Sequence, residues 1–315
     1  MEYSIGLDLG GTNSVFGIVD VNGNIIEQTS IHTKGYSNAE EYLNAAMNAL
    51  TPIIEKVGGI ENIASMGIGA PNGNIRTGSI EYAANIAWAH DCIVPLAQMF
   101  SDKLNGLPVK LTNDANAAAL GEKTFGAAKG MNDFIVLTLG TGVGSGIVCN
   151  GELVYGSDGN AGELGHLLVR PGDRICGCGR RGCLETYCSA TGVVRTAIQF
   201  LSDTNEDSIL RSIPTDKITS YDIAMAAQKQ DAIALRVFEF TGKILGEACA
   251  NMTVFTSPEA FIFFGGLAKA GDLLFNPVKK AYDETVMNTF KGKTKFLAST
   301  LEGAGAAVLG AASLR

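Results

Sequence analysis

The sequence predicts an α/β protein of two similar halves facing a shared cleft, and three observations carry that expectation. A pattern of strand, glycine turn, strand, Asn-Gly turn and strand occurs twice, at Ile5 to Asp20 and at Ile135 to Asn150, about 130 residues apart. Apolar runs of strand length alternate with segments of helical spacing between and beyond the repeats. The 315 residues, 46% of them hydrophobic, are enough for two domains with a core each.

The first repeat opens the chain: Tyr3 to Asp20 reads strand, glycine turn, strand, with a second turn at Asn22-Gly23. Ala39 to Lys56 has helical apolar spacing, Ile63 to Ile68 reads as a buried strand, and Ala70-Pro71-Asn72-Gly73 as a turn. Val109 to Thr112 is a short strand, and Asn113-Asp114 starts a helix from Ala115 to about Phe125. In the second repeat Ile135, Leu137, Leu139 and Gly140 stand where Ile5, Leu7, Leu9 and Gly10 stand in the first, and Asn150-Gly151 supplies the matching turn. A Gly/Cys loop follows, then helical stretches from Thr191 to Leu201 and from Asp222 to Val254. Ala260 to Phe264 reads as a buried strand turned by Gly265-Gly266 into a helix, and Glu302 to Leu314 as a small-residue helix. No low-complexity linker divides the chain. The expected division is a smaller N-terminal domain, 1–112, completed by the C-terminal helix 302–315, and a larger domain, 113–301, carrying the Gly/Cys loop.

Composition narrows the partners. With 24 Lys and Arg against 32 Asp and Glu the net charge is −8, and no Lys/Arg-rich run exists to release counterions from a phosphate backbone. Neither nucleic acid nor an anionic membrane is expected as a partner. No apolar run approaches the ~18–20 residues of a membrane span and no basic, apolar leader opens the sequence, so a cytoplasmic location is expected. Glycine is in excess, 39 residues or about 12% against a usual ~7%. The seven cysteines are odd in number and unevenly spaced, which argues against a disulfide framework. Cys92, Cys149 and Cys249 stand alone, whereas Cys176, Cys178, Cys183 and Cys188 crowd together.

The glycine turns bring chemistry. Asp8-Leu9-Gly10-Gly11-Thr12-Asn13 ends a strand in backbone amides and a hydroxyl with no Cβ to block a phosphate, and Asp8 could hold the accompanying Mg²⁺. It lacks the Gly-Lys-Ser/Thr of a Walker loop. Gly140-Thr141-Gly142 begins a second such hairpin, so the two could clamp one triphosphate, with Gly265-Gly266 as a resting place for the nucleotide. Asp114, at a strand end, is either a plain N-cap or a general base with Asn113 beside it. His166, Cys176, Cys178 and Cys183 satisfy a tetrahedral Zn²⁺ site, and four protein ligands leave no open position, so the zinc is structural. Cys188 reads as a core residue of the next helix. Glu163 and Glu185 flank this cluster, and with Asn113, Asp114 and Asn85 they suit a polyhydroxylated ligand whose hydroxyls each donate and accept. Trp88, the single tryptophan, fits core packing equally well.

Four segments together resemble the ROK family of sugar kinases and sugar-responsive repressors: Asp8-Leu9-Gly10-Gly11-Thr12, Asn113-Asp114-Ala115-Asn116-Ala117-Ala118 through Gly121-Glu122, Glu163-Leu164-Gly165-His166, and Cys176 to Glu185. The likeness runs in order over essentially the whole chain. It implies an actin-like, hexokinase-type fold, an ATP-dependent hexose kinase, and a homodimer or homotetramer. Position by position it implies Asp114 as catalytic base, Asn113, Glu163, His166 and Glu185 as sugar contacts, and His166, Cys176, Cys178 and Cys183 as zinc ligands. Gly73 and Asn85 match less closely, because Ala83-Ala84-Asn85 lacks the proline that many members carry before the Asn. The family's repressors carry a helix-turn-helix domain ahead of the first glycine loop, which here begins at Asp8, so DNA binding is not expected.

The resulting expectation is phosphoryl transfer from MgATP to the 6-hydroxyl of a hexose, glucose first. Kinases for N-acetylmannosamine, fructose or allose are the near alternatives. A sugar-binding regulator without turnover and an actin-like ATPase are the distant ones.

Overall fold

The computed structural model describes residues 3–301 and 303–314, so Glu302 and Arg315, which the expected C-terminal helix included, lie outside the described residues. By compactness the chain divides into one unit of residues 1–130, 153–162 and 300–315 and another of residues 131–152 and 163–299. The expected boundary at 112/113 stands just ahead of a helix, Asp114–Phe125, that falls within the first unit.

In the first unit β1 (Tyr3–Leu9), β2 (Asn13–Val19) and β3 (Ile25–His32) form an antiparallel meander, joined by α1 (Ala39–Lys56) to β4 (Ile63–Ala70). Short strands β5 (Gly73–Asn74), β6 (Ser79–Glu81) and β7 (Ile93–Val94) make a small separate sheet before α2 (Leu96–Lys103), β8 (Val109–Asn113) and α3 (Asp114–Phe125). The main sheet runs β3-β2-β1-β4-β8, with β4 and β8 parallel to β1. Strand β1 is apolar at Ile5, Leu7 and Leu9, all fully buried, as suits a central strand covered on both faces. Helix α1 begins where Asn38 Oδ1 caps the Glu41 amide at 3.0 Å and turns Tyr42, Leu43, Ala46 and Leu50 to the core. Trp88 is core here: its Nε1 donates to Thr33 O at 3.0 Å and its ring stacks on Tyr42 at 4.5 Å.

In the second unit β9 (Phe134–Leu139), β10 (Val143–Cys149) and β11 (Glu152–Leu153) again form the hairpin side of a sheet. The chain passes through α4 (Glu185–Cys188), α5 (Ala190–Asp203), α6 (Ser220–Gln228) and α7 (Ala232–Thr256) to β12 (Ala260–Phe264), α8 (Asp272–Thr285) and β13 (Lys295–Ala298). The sheet order β11-β10-β9-β12-β13, with β12 parallel to both β9 and β13, repeats the first sheet strand for strand. This is the duplication read from the glycine hairpins. The stretch Asp222 to Val254, read as continuously helical, is two helices. Gln230 takes a positive φ of 64° that stops α6, and Asp231 caps the Ala234 amide at 3.0 Å to start α7.

The last helix, α9 (Gly303–Ala312), lies on the first sheet against β1 and β4. A Cβ on Gly6 would strike Val308 O, and one on Gly67 would strike Ala311 O, so these two glycines set how closely helix and sheet approach. No helix among the described residues is long and apolar enough to cross a membrane.

Candidate active site

In the first unit β1, β4 and β8 run side by side and end together, which puts Asp8, Asn113 and Asp114 at the carboxyl edge of a parallel sheet, where open α/β folds bind ligands. The turn after β1 is closed by Gly10 N donating to Asn13 O at 3.0 Å. Asn13 Oδ1 lies 3.0 Å from His32 Nδ1, and Thr12 O accepts from Thr33 N at 2.9 Å. Among the described residues the N–H groups of Gly11 and Thr12 meet no acceptor, so they remain available to an anion. Asn85 lies against this turn, since a Cβ on Gly11 would sit 3.2 Å from Asn85 Cβ. Gly73 is different: it is buried, and a Cβ there would run into Thr112 O.

Asn113, not Asp114, is the N-cap of α3, its Oδ1 accepting from Ala115 N at 2.8 Å and Asn116 N at 3.1 Å. The cap role that was one reading of Asp114 thus falls to its neighbour. Asp114 is held in place through Oδ1, which accepts from Ala115 N at 2.8 Å, while Oδ2 stays open. Its side chain keeps solvent access, yet the surrounding protein raises its carboxyl above the ordinary value, and the Ala115 amide pulls the other way. The Asp8 carboxyl accepts no hydrogen bond among the described residues. Desolvation first, then the charge of Asp114, push its carboxyl up to about 6. A partly desolvated carboxylate that feels the charge of a second one is a fitting seat for a divalent cation. Asn116, one turn into α3, keeps a buried Oδ1 without a partner while its Nδ2 lies 3.3 Å from Thr112 Oγ1. Its place in the Asn113 to Ala118 run was legible, but not its buried, half-satisfied amide.

In the second unit the hairpin between β9 and β10 closes on a turn one residue shorter, with Gly140 N donating to Gly142 O at 3.0 Å, and the N–H groups of Thr141 and Gly142 meet no acceptor among the described residues. Glu185, the first residue of α4, reaches this hairpin: its Oε2 accepts from Val143 N at 3.1 Å, and a Cβ on Gly142 would collide with it. Its Oε1 lies 3.5 Å from Cys176 Sγ. The link from Glu185 to the hairpin amide has no trace in the sequence. Gly265, after β12, takes φ 104° with Leu139 O in the way of any Cβ, and Gly266 faces open space.

The cysteine loop brings together the four donors expected to bind metal. One ring nitrogen of His166 and the Sγ atoms of Cys176, Cys178 and Cys183 lie within 4.8 Å of one another. Cys176 Sγ is 3.6 Å from His166 Nδ1 and Cys178 Sγ 3.7 Å from Cys183 Sγ, close to the ~3.8 Å edge of a tetrahedron with Zn–S bonds of about 2.3 Å. Burial pushes the Cys176 thiol up to about 12, so it would ionise only beside a cation, whereas the Cys178 thiol is held, against its desolvation, below its ordinary value, with the Arg180 amide and the neighbouring thiols donating to it. The donor set therefore fits zinc. The other ring nitrogen of His166 stands 4.0 Å from Glu163 Oε2. Cys188 lies fully buried in α4, away from the donor set.

The model of the ROK family matches residues 4–315 of the chain. A glucokinase of Halalkalibacterium halodurans is 35% identical over 98% of this chain and 93% of its own length. The crystal structure of a ROK family glucokinase from Streptomyces griseus, in complex with glucose and AMPPNP, superposes with a TM-score of 0.80 at 34% identity, covering 99% of this chain and 98% of that one. A xylose repressor of Caldicellulosiruptor bescii is 29% identical over 89% of this chain and 70% of its own length.

Proposed function

The chain belongs to the ROK family, with the actin-like, hexokinase-type fold, and we propose that it is an ATP-dependent glucose kinase that phosphorylates the 6-hydroxyl. The observation that carries this reading is the pairing of an open Asp114 Oδ2 with a neighbouring Asp8, at the edge of a sheet whose glycine turn leaves amides unpaired.

Asp114 orients the acceptor hydroxyl and takes its proton as the phosphoryl group arrives in line. Asn113, with its Oδ1 committed to α3, offers its Nδ2 to a sugar hydroxyl. Glu163, His166 and Glu185 hold further hydroxyls, and Asn85 adds an amide. Gly73 keeps its place as a sugar contact only through its backbone. The phosphates are taken by the turn amides of Gly10 to Asn13 and of Gly140 to Gly142, with the nucleoside against Gly265-Gly266. Asp8 would hold Mg²⁺, which when bound offsets the charge of the phosphate oxygens. His166, Cys176, Cys178 and Cys183 would hold a zinc ion, which when bound fixes the loop that carries the sugar contacts. We further assign the protein to the cytoplasm, as a homodimer or homotetramer.

The testing experiment is Asp114→Asn in a coupled ADP-release assay with a panel of hexoses. Turnover should fall by a factor of about 10²–10⁴ while glucose binding persists. Normal turnover would remove Asp114 as the base. The similarity to a xylose repressor favours a second reading, a sugar-binding regulator, which would be supported if no hexose yields a phosphorylated product with MgATP.

A further inference from the structure

Helices α4 and α5 meet at a corner, Glu185 to Thr196, that holds two loops of the second unit. On one side it holds the glycine hairpin. Ala190 N donates to Gly140 O at 2.8 Å, the Thr191 hydroxyl to Thr141 O at 3.0 Å, and Val143 N to Glu185 Oε2 at 3.1 Å. On the other side it meets the cysteine loop, where the most extensive grip is that of the Arg174 side chain, two residues before Cys176. Arg174 is 4% exposed. Its Nη1 donates to Thr186 O and Thr196 Oγ1, each at 2.9 Å, with Gly192 O farther off at 3.4 Å, and its Nη2 donates to Gln199 Oε1 at 3.1 Å. The Tyr187 ring lies 4.5 Å from the guanidinium carbon, and the Tyr187 hydroxyl is tied to Asp173 Oδ2 at 2.6 Å. The Arg174 carbonyl accepts from Gly182 N at 2.8 Å, beside Cys183.

No carboxylate among the described residues forms an ion pair with this guanidinium; its acceptors are carbonyls, a hydroxyl and an amide oxygen. Burying a cation on neutral acceptors gains little stability over an apolar side chain of the same size. What a planar fork with fixed donor directions does supply is geometry. The loop it fixes contains Gly172, Gly177, Gly179 and Gly182 and has few apolar residues with which to fix itself.

We propose that Arg174 is a positioning residue that sets the cysteine loop on the α4–α5 corner before any metal binds. Cys176 and Cys183 are thereby presented to His166, and Glu185 keeps its place between the loop and the hairpin. Arg174 acts through the Thr186 carbonyl, next to Glu185, and touches none of the proposed ligands itself. The proposal rests on the zinc and sugar-kinase reading above and adds to it that zinc affinity and glucose affinity share a determinant outside both sets of contacts.

The test uses the full chain with Arg174→Met, which fills the space and donates nothing, and Arg174→Lys, which keeps the charge and can reach part of the acceptor set. Zinc affinity is read by competition with a chromophoric chelator, and amide exchange is read on metal-stripped protein. Arg174→Met should weaken zinc binding about 10–100-fold, as loss of groups that orient metal ligands does elsewhere, and raise the KM for glucose about 10-fold while the KM for ATP moves less than about 3-fold. Metal-stripped wild type should keep protected amides at Cys176, Gly182 and Leu184, bonded at 2.9, 2.8 and 2.8 Å, and Arg174→Met should lose them. Arg174→Lys should recover part of the zinc affinity. If Arg174→Met does not fold, Thr196→Val removes one acceptor at nearly constant volume and should weaken zinc severalfold. A variant that melts lower yet binds zinc within twofold of wild type would make Arg174 a core residue only, and wild type that binds no zinc would also overturn the proposal. Because zinc competition and amide exchange, unlike KM, need no turnover, weakened zinc in a protein that phosphorylates no hexose would count against the kinase reading and leave the positioning of the metal loop standing.

Discussion

Replacing Asp8 by Asn should stabilise the protein at neutral pH while disabling it. The Asp8 carboxyl accepts no hydrogen bond among the described residues and is held at about 6, against an ordinary 3.8, by desolvation and the nearby charge of Asp114. At 1.36 kcal/mol per pH unit, ionising it in the folded chain costs up to about 3 kcal/mol, and its residual solvent access reduces that to ~1–2 kcal/mol. A carboxyl raised on folding penalises the fold wherever the unfolded chain is ionised. The penalty is therefore complete above pH 6 and absent below the ordinary value. Asp8→Asn should melt a few degrees higher than wild type at pH 7.5, and the gap should close by pH 4. Metal-free thermal melts followed by circular dichroism at the two pH values measure this directly. Added MgATP should raise the wild-type Tm more than that of the variant, because the variant has lost the cation's seat. A variant that melts at or below wild type at pH 7.5 would refute the reasoning, since Asp8 would then not be a charge held against its surroundings.

Three further outcomes are expected. The acid limb of kcat/KM for glucose should lie above the ordinary carboxylate range, because a raised Asp114 must be ionised to take a proton and activity is lost as pH falls through its value; a pH profile checks it. Elemental analysis should find about one zinc per chain, and Cys178→Ser should lower the Tm, raise the KM for glucose and weaken metal retention against a chelator. Gly142→Ala puts a methyl group into Glu185 Oε2 and should lower kcat/KM about 10-fold or more with little change in Tm, which steady-state kinetics and a melt together decide.

Much of this was legible because the signals are local. Helical apolar spacing gave Ala39–Lys56 to the residue, and an unbroken apolar run gave Ala260–Phe264. The twofold glycine hairpin announced two sheets of one topology, since a strand register leaves a sequence pattern with period two. The break at Gln230 was missed because neither glycine nor proline marks it; only the left-handed backbone and the Asp231 cap do. The small sheet was missed because Gly73–Asn74 and Ile93–Val94 are too short for any periodicity. In the candidate site, residue types carried the cysteine cluster and Asp114, but contacts between distant positions carried the rest. Asn85 beside Gly11, Glu185 on the Val143 amide and Arg174 under the Thr186 carbonyl are tertiary facts that no spacing encodes.

The central claim is tested most directly by incubating the purified protein with glucose and MgATP, following ADP release and identifying the sugar product. The expected result is glucose-dependent ADP release with stoichiometric phosphate on the 6-hydroxyl, absent without Mg²⁺ and reduced by a factor of about 10²–10⁴ in Asp114→Asn. ADP release indifferent to glucose, or no phosphorylated product from any hexose, would contradict it.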